Sequence, residues 1–325
     1  MMIARRKIPL IIAALGVIAM ASPAWAQEWP QKPVKIIVPF APGGNTDSIA
    51  RVIGQRLSET LGQLFVIENK PGANGAIAAE FVARSPADGY TLFLAAAPQI
   101  ATLPLLTKTS YDPVKDFDPV SNIGSNPFVL TVNSDFPTKT LKEFVERIRA
   151  EPNKISYASG GNGSLGHLTM ALFLKRAGME MIHVPYRGGG PAIVDTVAGH
   201  IPVYFANLSE ALPHAASEKI RLLAVSGAKR SAQIPDVPTV SESGFPGFQS
   251  LTWNGILAPA GTPKDIVNRL AHEVSLAVKD PAIVKSLSNL GVDPLGDQPA
   301  QFAATIATDI AIWSETIKTA GVTLE

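Results

Sequence analysis

The 325 residues are 46% hydrophobic and 17% charged, with 28 Lys+Arg against 27 Asp+Glu and no cysteine. That length suits one large domain or two modest ones, enough to bury a core without metal or disulfide staples. The lack of cysteine excludes disulfides, thiol nucleophiles, iron–sulfur clusters and cysteine-ligated zinc, and the balanced charge argues against a nucleic-acid partner.

The chain opens on what reads as a cleavable secretory leader. Arg5, Arg6 and Lys7 form a positive head, residues 8–20 an almost unbroken apolar run, and Ala24-Trp25-Ala26 a small-x-small cleavage pattern, so the cut is expected after Ala26. The apolar run is too short for a span, which needs ~20 residues. Losing the three cations of the leader turns the formal net charge from +1 to −2. An exported chain of this size without cysteine is compatible with the periplasm, where disulfides are permitted but not required.

Past the leader the hydrophobic period switches repeatedly between 2 and 3.6. Val34-Lys35-Ile36-Ile37-Val38 is a β-branched run, broken by Ala41-Pro42-Gly43-Gly44-Asn45. Residues 47–61 then carry Ile49, Val52, Ile53 and Leu57 at helical spacing, with Gly62 as the stop. Further strands are expected at 64–67, 90–94, 128–132, 155–158, 181–184, 203–206 and 222–225, and helices at 76–83, 141–150, 165–177, 191–198 and 210–216. This alternation predicts an α/β fold with mainly parallel sheets. The last third is more helical. Thr262-Pro263 reads as an N-cap and first-turn pair ahead of the stripe Ile266, Val267, Leu270, Val274 and Val278. Pro299 opens a final helix with Phe302, Ile306, Ile310 and Trp313 on one face. Residues 120–128 and 244–256 are candidate domain crossings. They imply a discontinuous lobe of 27–126 with 250–325, and a middle lobe of 127–249.

Three glycine-rich turns each follow a strand and open a helix: 40–47 around Gly43-Gly44, 158–164 around Gly160-Gly161-Asn162-Gly163, and 185–191 around Gly188-Gly189-Gly190. Glycine lets backbone approach a ligand closely, and a helix's first turn offers unpaired N–H groups at the positive end of its dipole. Together these are anion sites that need no buried cation. In open α/β sheets, ligands bind beyond the carboxyl ends of the strands, where these turns lie. Gly44→Val is expected to abolish binding while the fold survives, because a branched Cβ would stand where backbone must approach the ligand and would meet a φ that favours glycine. Gly161, Gly163 and Gly166 fit the G-x-G-x-x-G spacing, but the next strand ends Val184-Pro185-Tyr186 without the ribose-binding carboxylate a dinucleotide fold requires. The five histidines, 167, 183, 200, 214 and 272, include no close ligand pair, and Gly163-Ser164-Leu165-Gly166 lacks the leading glycine of a nucleophile elbow. No cofactor or metal is therefore expected. An exported hydrolase or isomerase built on Asp47 and His167 is the competing class. Asp47 reads equally as a helix-dipole residue, Arg187 as a solvated cation or an anion partner, and Trp253 as core or pocket wall.

Six motifs then stand in register: Pro-Val-Lys-Ile-Ile-Val-Pro-Phe-Ala-Pro-Gly-Gly-Asn-Thr-Asp at 33–47, Val-Ile-Glu-Asn-Lys-Pro-Gly-Ala-Asn-Gly at 66–75, Ser-Pro-Ala-Asp-Gly-Tyr-Thr-Leu at 85–92, Val-Pro-Tyr-Arg-Gly-Gly-Gly-Pro-Ala at 184–192, Pro-Asp-Val-Pro-Thr-Val-Ser-Glu-Ser-Gly-Phe-Pro at 235–246, and Trp-Asn-Gly-Ile-Leu-Ala-Pro-Ala-Gly-Thr-Pro at 253–263. In this order they resemble the Bug family, the periplasmic receptors of tripartite tricarboxylate transporters. The resemblance implies a two-lobed periplasmic binding protein of Venus-flytrap type, monomeric, with a small carboxylate in the cleft and cognate inner-membrane transporter subunits as partners. It carries ligand contact over to Phe40, Gly43, Gly44, Asn45 and Asp47 in the first turn and to Ser159, Gly160, Gly163 and Ser164 in the second. Asn207 and Ser209 are expected at the distal end. The stretch Ala95-Ala96-Ala97-Pro98-Gln99 is more apolar than the family pattern, implying either a less polar part of the ligand or a loop that contributes little.

Overall fold

The computed structural model describes residues 29–320; the leader and its cut after Ala26 lie outside the described residues. The first elements are β1 (Val34–Val38), α1 (Asn45–Leu61), β2 (Phe65–Asn69), α2 (Ala76–Ala83) and β3 (Thr91–Ala96). A π-helical turn over Pro98–Thr102 and the short α3 (Leu103–Leu106) lead into β4 (Phe117–Asn133). The middle third runs α4 (Leu141–Ala150), β5 (Ser156–Ser159), α5 (Leu165–Ala177), β6 (Ile182–Pro185), α6 (Gly189–Ala198), β7 (Val203–Asn207), α7 (Leu208–Ala215) and β8 (Ile220–Val225). The last elements are β9 (Leu251–Pro259), α8 (Lys264–Ala277), α9 (Pro281–Asn289), β10 (Asp293–Pro294) and α10 (Pro299–Ala320).

The strands form the path β2-β1-β3-β9-β4-β7-β5-β6, with β8 and β10 also on β4. Pairing is parallel in β2-β1-β3 and in β6-β5-β7. It is antiparallel wherever β4 or β9 takes part. The expectation of mainly parallel sheets thus holds for the outer strands and fails for the crossing strands. β4 and β9 carry the chain between halves directly, without the crossover helix that parallel neighbours need. Between Pro127 and Phe128, β4 exchanges β9 for β7, so its first part belongs to one sheet and its second part to the other.

Both faces of β1 and β3 are covered, which explains their near-continuous apolar runs. Val34, Ile36 and Val38 pack with Ile49, Ile53 and Leu57 of α1 and with Leu270 and Val274 of α8. The alternate residue Ile37 joins Ala78, Ala79 and Val82 of α2 and Phe93 of β3 on the opposite face. In the middle third, Phe173 of α5 meets Phe144, Phe205, Phe245 and Phe248 at centroid distances of 5.1–6.4 Å. Trp253 is core: 4% exposed, it stands edge-on to Phe302 of α10 at 5.1 Å.

Two local expectations change. Pro263, not Thr262, is the N-cap of α8; the Thr262 hydroxyl donates backward to the Pro259 carbonyl instead. α7 begins at Leu208, two residues early, because Asn207 and Glu210 form a reciprocal capping box.

Candidate ligand-binding cleft

The carboxyl ends of β1, β5 and β7 point their following turns into one cleft. A narrow cavity lies there. Its walls are Phe40, Gly44, Asn45 and Thr46 from the first turn, Gly160, Ser164, Leu165 and Gly166 from the second, and Asn207 and Glu210 from the β7–α7 junction. Gly189 of the third turn, Ala96, Pro98, Phe128, Tyr204 and Thr252 complete the lining. The first turns of α1 and α5 therefore both face this space, each with backbone donors that have no partner inside the helix. Among the described residues that line it, none is lysine or arginine.

Of the residues expected at the site, Phe40, Gly44, Asn45, Gly160, Ser164 and Asn207 line the cavity. Gly43, Asp47, Ser159, Gly163 and Ser209 stand one step behind and hold the lining in place. Gly43 takes φ +86° and donates its N–H to Asp47 Oδ2 at 3.0 Å. Asp47 is 3% exposed, with Arg51 at 2.9 and 3.0 Å and Asn69 at 2.9 Å on its carboxylate. Burial alone would raise its pKa; the hydrogen bonds from Arg51, Gly43 and Asn69 outweigh that and leave it lowered. Asp47 is thus committed to its own helix and turn. Ser209 donates to Asn45 Oδ1 at 2.7 Å, and Gly163 accepts from Thr102 Oγ1 at 3.4 Å.

The strand-ending Ser159 is fully buried under the second turn. Its hydroxyl accepts from the Gly161 N–H at 3.1 Å and meets His183 Nε2 at 2.6 Å. His167 Nδ1 accepts from the Gly163 N–H at 3.1 Å, and its ring stacks on His183 at 4.0 Å, with Tyr157 on the far side of His183 at 5.1 Å. Burial lowers the pKa of His167 to about 4; burial and then the neighbouring ring lower that of His183 to about 3. Two neutral imidazoles therefore brace the turn that leads into α5. His167 and Asp47 are not brought together at the cavity, so the pair an enzyme would need does not assemble there.

Gly44 has φ −82°, an ordinary value, and a Cβ added there meets nothing closer than 3.6 Å. Gly44 therefore has no φ that requires glycine; the steric constraint lies at Gly189, where an added Cβ would overlap the Glu210 carboxylate. The first and third turns touch, with the Ala41 N–H 3.4 Å from the Arg187 carbonyl. Arg187 lines instead an adjoining groove, with Asn74, Asn162 and Tyr186, that shares Phe40 and Gly160 with the cleft wall.

Sequence reasoning missed Glu210, Tyr204, Thr46, Phe128, Gly189 and Thr252. Asn207-Leu208-Ser209-Glu210 carries the N-cap-x-x-Glu spacing of a capping box, the one signal that would have put Glu210 at the mouth of α7. The residue is 5% exposed. Oε2 accepts from Tyr204 Oη at 2.7 Å and from the Asn207 N–H at 3.2 Å, while Oε1 accepts from the Asn45 N–H at 3.3 Å. Burial raises its pKa, and these donors offset the rise only in part. Ala96 and Pro98 do line the cavity, so the apolar stretch after β3 contributes directly.

Two mixed sheets joined by crossing strands, with helix N-termini converging on one cleft, define a periplasmic-type solute-binding protein. Residues 49–322 match the tripartite tricarboxylate transporter family receptor. Protein BugT of Bordetella pertussis (strain Tohama I) is 35% identical over 320 residues, covering 98% of this chain and 97% of BugT. Among solved structures, Rpa4515 of R. palustris, described with adipate, has a TM-score of 0.89 at 37% identity, over 91% of this chain and 99% of that one. The periplasmic binding protein BugD has a TM-score of 0.88 at 33% identity, over 91% of this chain and all of BugD. The chain belongs to the tripartite tricarboxylate transporter receptor family, the Bug receptors, and is a solute receptor rather than an enzyme.

Proposed function

We propose that this receptor captures a small carboxylate in the periplasm, closes two lobes around it at a hinge, and hands it to an inner-membrane transporter of the tripartite tricarboxylate type. The observation that carries the ligand class is the cavity itself: two helix N-termini and several neutral donors converge on it, and its described lining holds no cation. A charge-assisted hydrogen bond contributes ~1.5–3 kcal/mol, so a handful, less the costs of association and ordering, reaches the ~−8 kcal/mol of micromolar binding. The adipate of Rpa4515 supports the same class. The lobes of this reading are 27–126 with 250–325, and 127–249. The receptor acts as a monomer after cleavage behind Ala26. Ligand contact falls to the residues of the first two turns that line the cleft and, at its distal end, to Asn207, with Gly43, Asp47, Ser159, Gly163 and Ser209 supporting them.

A thermal-shift screen of mono-, di- and tricarboxylates, aromatic and amino-acid examples included, tests it, because a ligand of the native state adds stability by mass action. At least one should give a saturable rise in melting temperature without turnover. If none does, or if a carboxylate is consumed by the pure mature protein, the reading is wrong.

A further inference from the structure

The two helix N-termini at the cleft are not equivalent. At α1, carboxylates of the chain itself already take two N–H groups: Glu210 Oε1 takes that of Asn45 in the first turn, and Asp47 takes that of Gly43 just ahead of the helix. At α5 the cap is the neutral Ser164 hydroxyl, which accepts from the His167 N–H, and Leu165 and Gly166 of the first turn lie open to the cavity. The cleft therefore has an end suited to an anion and an end that already holds one. Among the described lining residues, Glu210 is the one carboxylate, and no lysine or arginine faces it.

The hydrogen bonds of Glu210 are themselves lopsided. Its partners are donors throughout: two backbone N–H groups, the Tyr204 hydroxyl and the Asn207 amide. Such a set holds it as an acceptor. Oε2 is well satisfied at 2.7 and 3.2 Å. The two bonds to Oε1 are long, 3.3 Å from Asn45 and 3.5 Å from Asn207, against the usual 2.7–3.2 Å. One carboxylate oxygen closes the α7 cap; the other sits at the cleft with acceptor capacity to spare.

We propose that Glu210 sets which carboxylates this receptor takes: a monocarboxylate whose far end carries an N–H donor, an ammonium or a carboxamide, in preference to a dicarboxylate of the same length. The carboxylate of the ligand lies at the first turn of α5, and its donor end meets Glu210 Oε1. A dicarboxylate would bring a second anion against Glu210 with no cation between them, a contact that costs affinity in a desolvated site. This inference rests on the reading of the cleft as a carboxylate site.

Calorimetric titration of the pure mature protein tests it with matched probes: glutarate, glutaramate and 4-aminobutyrate, and adipate, adipamate and 6-aminohexanoate. The amino or carbamoyl member of each set should bind at least tenfold tighter than the dicarboxylate. Glu210→Gln, which keeps the size and an acceptor for the cap, should cost the amino ligands tenfold or more and narrow or reverse the gap. Tighter binding of the dicarboxylates by the wild type overturns the proposal. So does a Glu210→Gln variant that shifts every probe by the same factor, as a residue that merely caps α7 would. If the variant does not fold, the wild-type order of the probes decides alone. Equal affinity within each set sinks this inference and leaves the carboxylate receptor standing, whereas no binding by any probe or by the wider carboxylate screen sinks both.

Discussion

Glycine positions in the cleft differ in what they permit. At Gly44 the backbone is ordinary and the nearest atoms to an added Cβ are 3.6 Å away, so Gly44→Ala should leave unfolding stability within ~0.5 kcal/mol of the wild type. Gly189→Ala pushes a methyl into the Glu210 carboxylate, which Tyr204 and Asn207 hold from the other side. That variant should bind its carboxylate at least tenfold more weakly, read by titration calorimetry beside Gly44→Ala; equal affinities of the two would show that the third turn and Glu210 do not meet in the binding form. Arg187→Ala should change affinity less than tenfold, or ~1.4 kcal/mol, because Arg187 lines the adjoining groove and is not among the residues lining the cavity. A loss of several hundredfold would mean that an arginine pair, and not helix N-termini, carries the anion. The same contrast explains how much of the site could be read beforehand. Gly-rich turns at strand ends announce backbone donors, so Phe40, Gly44, Asn45, Gly160 and Ser164 were legible. Glu210 and Tyr204 come together through a cap that starts α7 two residues early, and Thr252 through a strand pairing distant in sequence.

At the scale of elements, the β5–α5 turn is braced by the stacked rings of His167 and His183, and this makes one pH dependence explicit. Both rings are held neutral, with pKa values lowered to about 4 and about 3 chiefly by burial. In the unfolded chain they titrate near ~6.5. Above that pH neither state binds the protons and the stack's contribution is complete. As the pH falls from ~6.5 toward 4 the unfolded state takes up protons that the folded state refuses, so stability declines, by at most ~1.4 kcal/mol per pH unit for each ring and less where solvent reaches it. Urea unfolding at pH 7.5 and pH 5 should therefore show a drop that His167→Gln/His183→Gln flattens; an identical drop in the double variant would place its origin elsewhere. The elements that carry these residues were readable because their period is regular: 141–150 and 165–177 form helices over the residues expected. β4 was not. Its run Phe-Asp-Pro-Val-Ser-Asn-Ile-Gly-Ser-Asn-Pro carries two prolines and a glycine, which normally argue against a strand. The register against β9 shifts just after Pro119, and Pro127 ends that pairing, so the proline signals mark irregularities in a strand and not its absence. α9 and β10 escaped notice because they are short and packed by tertiary contact more than by pattern.

Across the whole molecule, the lobes of the proposed function share apolar core and, beside the crossing strands, also meet through a set of polar contacts. Asn45 at the head of α1 exchanges hydrogen bonds with Asn126 at 3.2 and 3.4 Å and accepts from Ser209, while Asn126 also donates to Asn207 at 3.4 Å. Asn126 is 1% exposed and stands beside the point where β4 leaves one sheet for the other. The second connection runs past Ser250, whose backbone N–H bonds to the Ser226 carbonyl and whose hydroxyl meets Thr169 Oγ1 at 2.6 Å. On the proposed closure, φ/ψ changes at only a few residues suffice, and the proposal assigns them to Asn126-Pro127 and the stretch around Ser250. A ligand can shift the open–closed balance only by its difference in affinity for the two forms, so every contact made solely in the closed form counts toward closure. Asn126→Ala removes partners from Asn45 and Asn207 in a buried setting and should cost the closed form ~1–3 kcal/mol, weakening ligand binding about five- to a hundredfold while the lobes keep their secondary structure. Small-angle scattering with and without a confirmed carboxylate gives the decisive reading. The wild-type radius of gyration should fall when ligand is added, because a solvent-filled cleft disappears, and the same ligand concentration should close Asn126→Ala less completely. An unchanged radius in the wild type at saturating ligand would mean that the cleft is closed from the start and that no hinge takes part in binding.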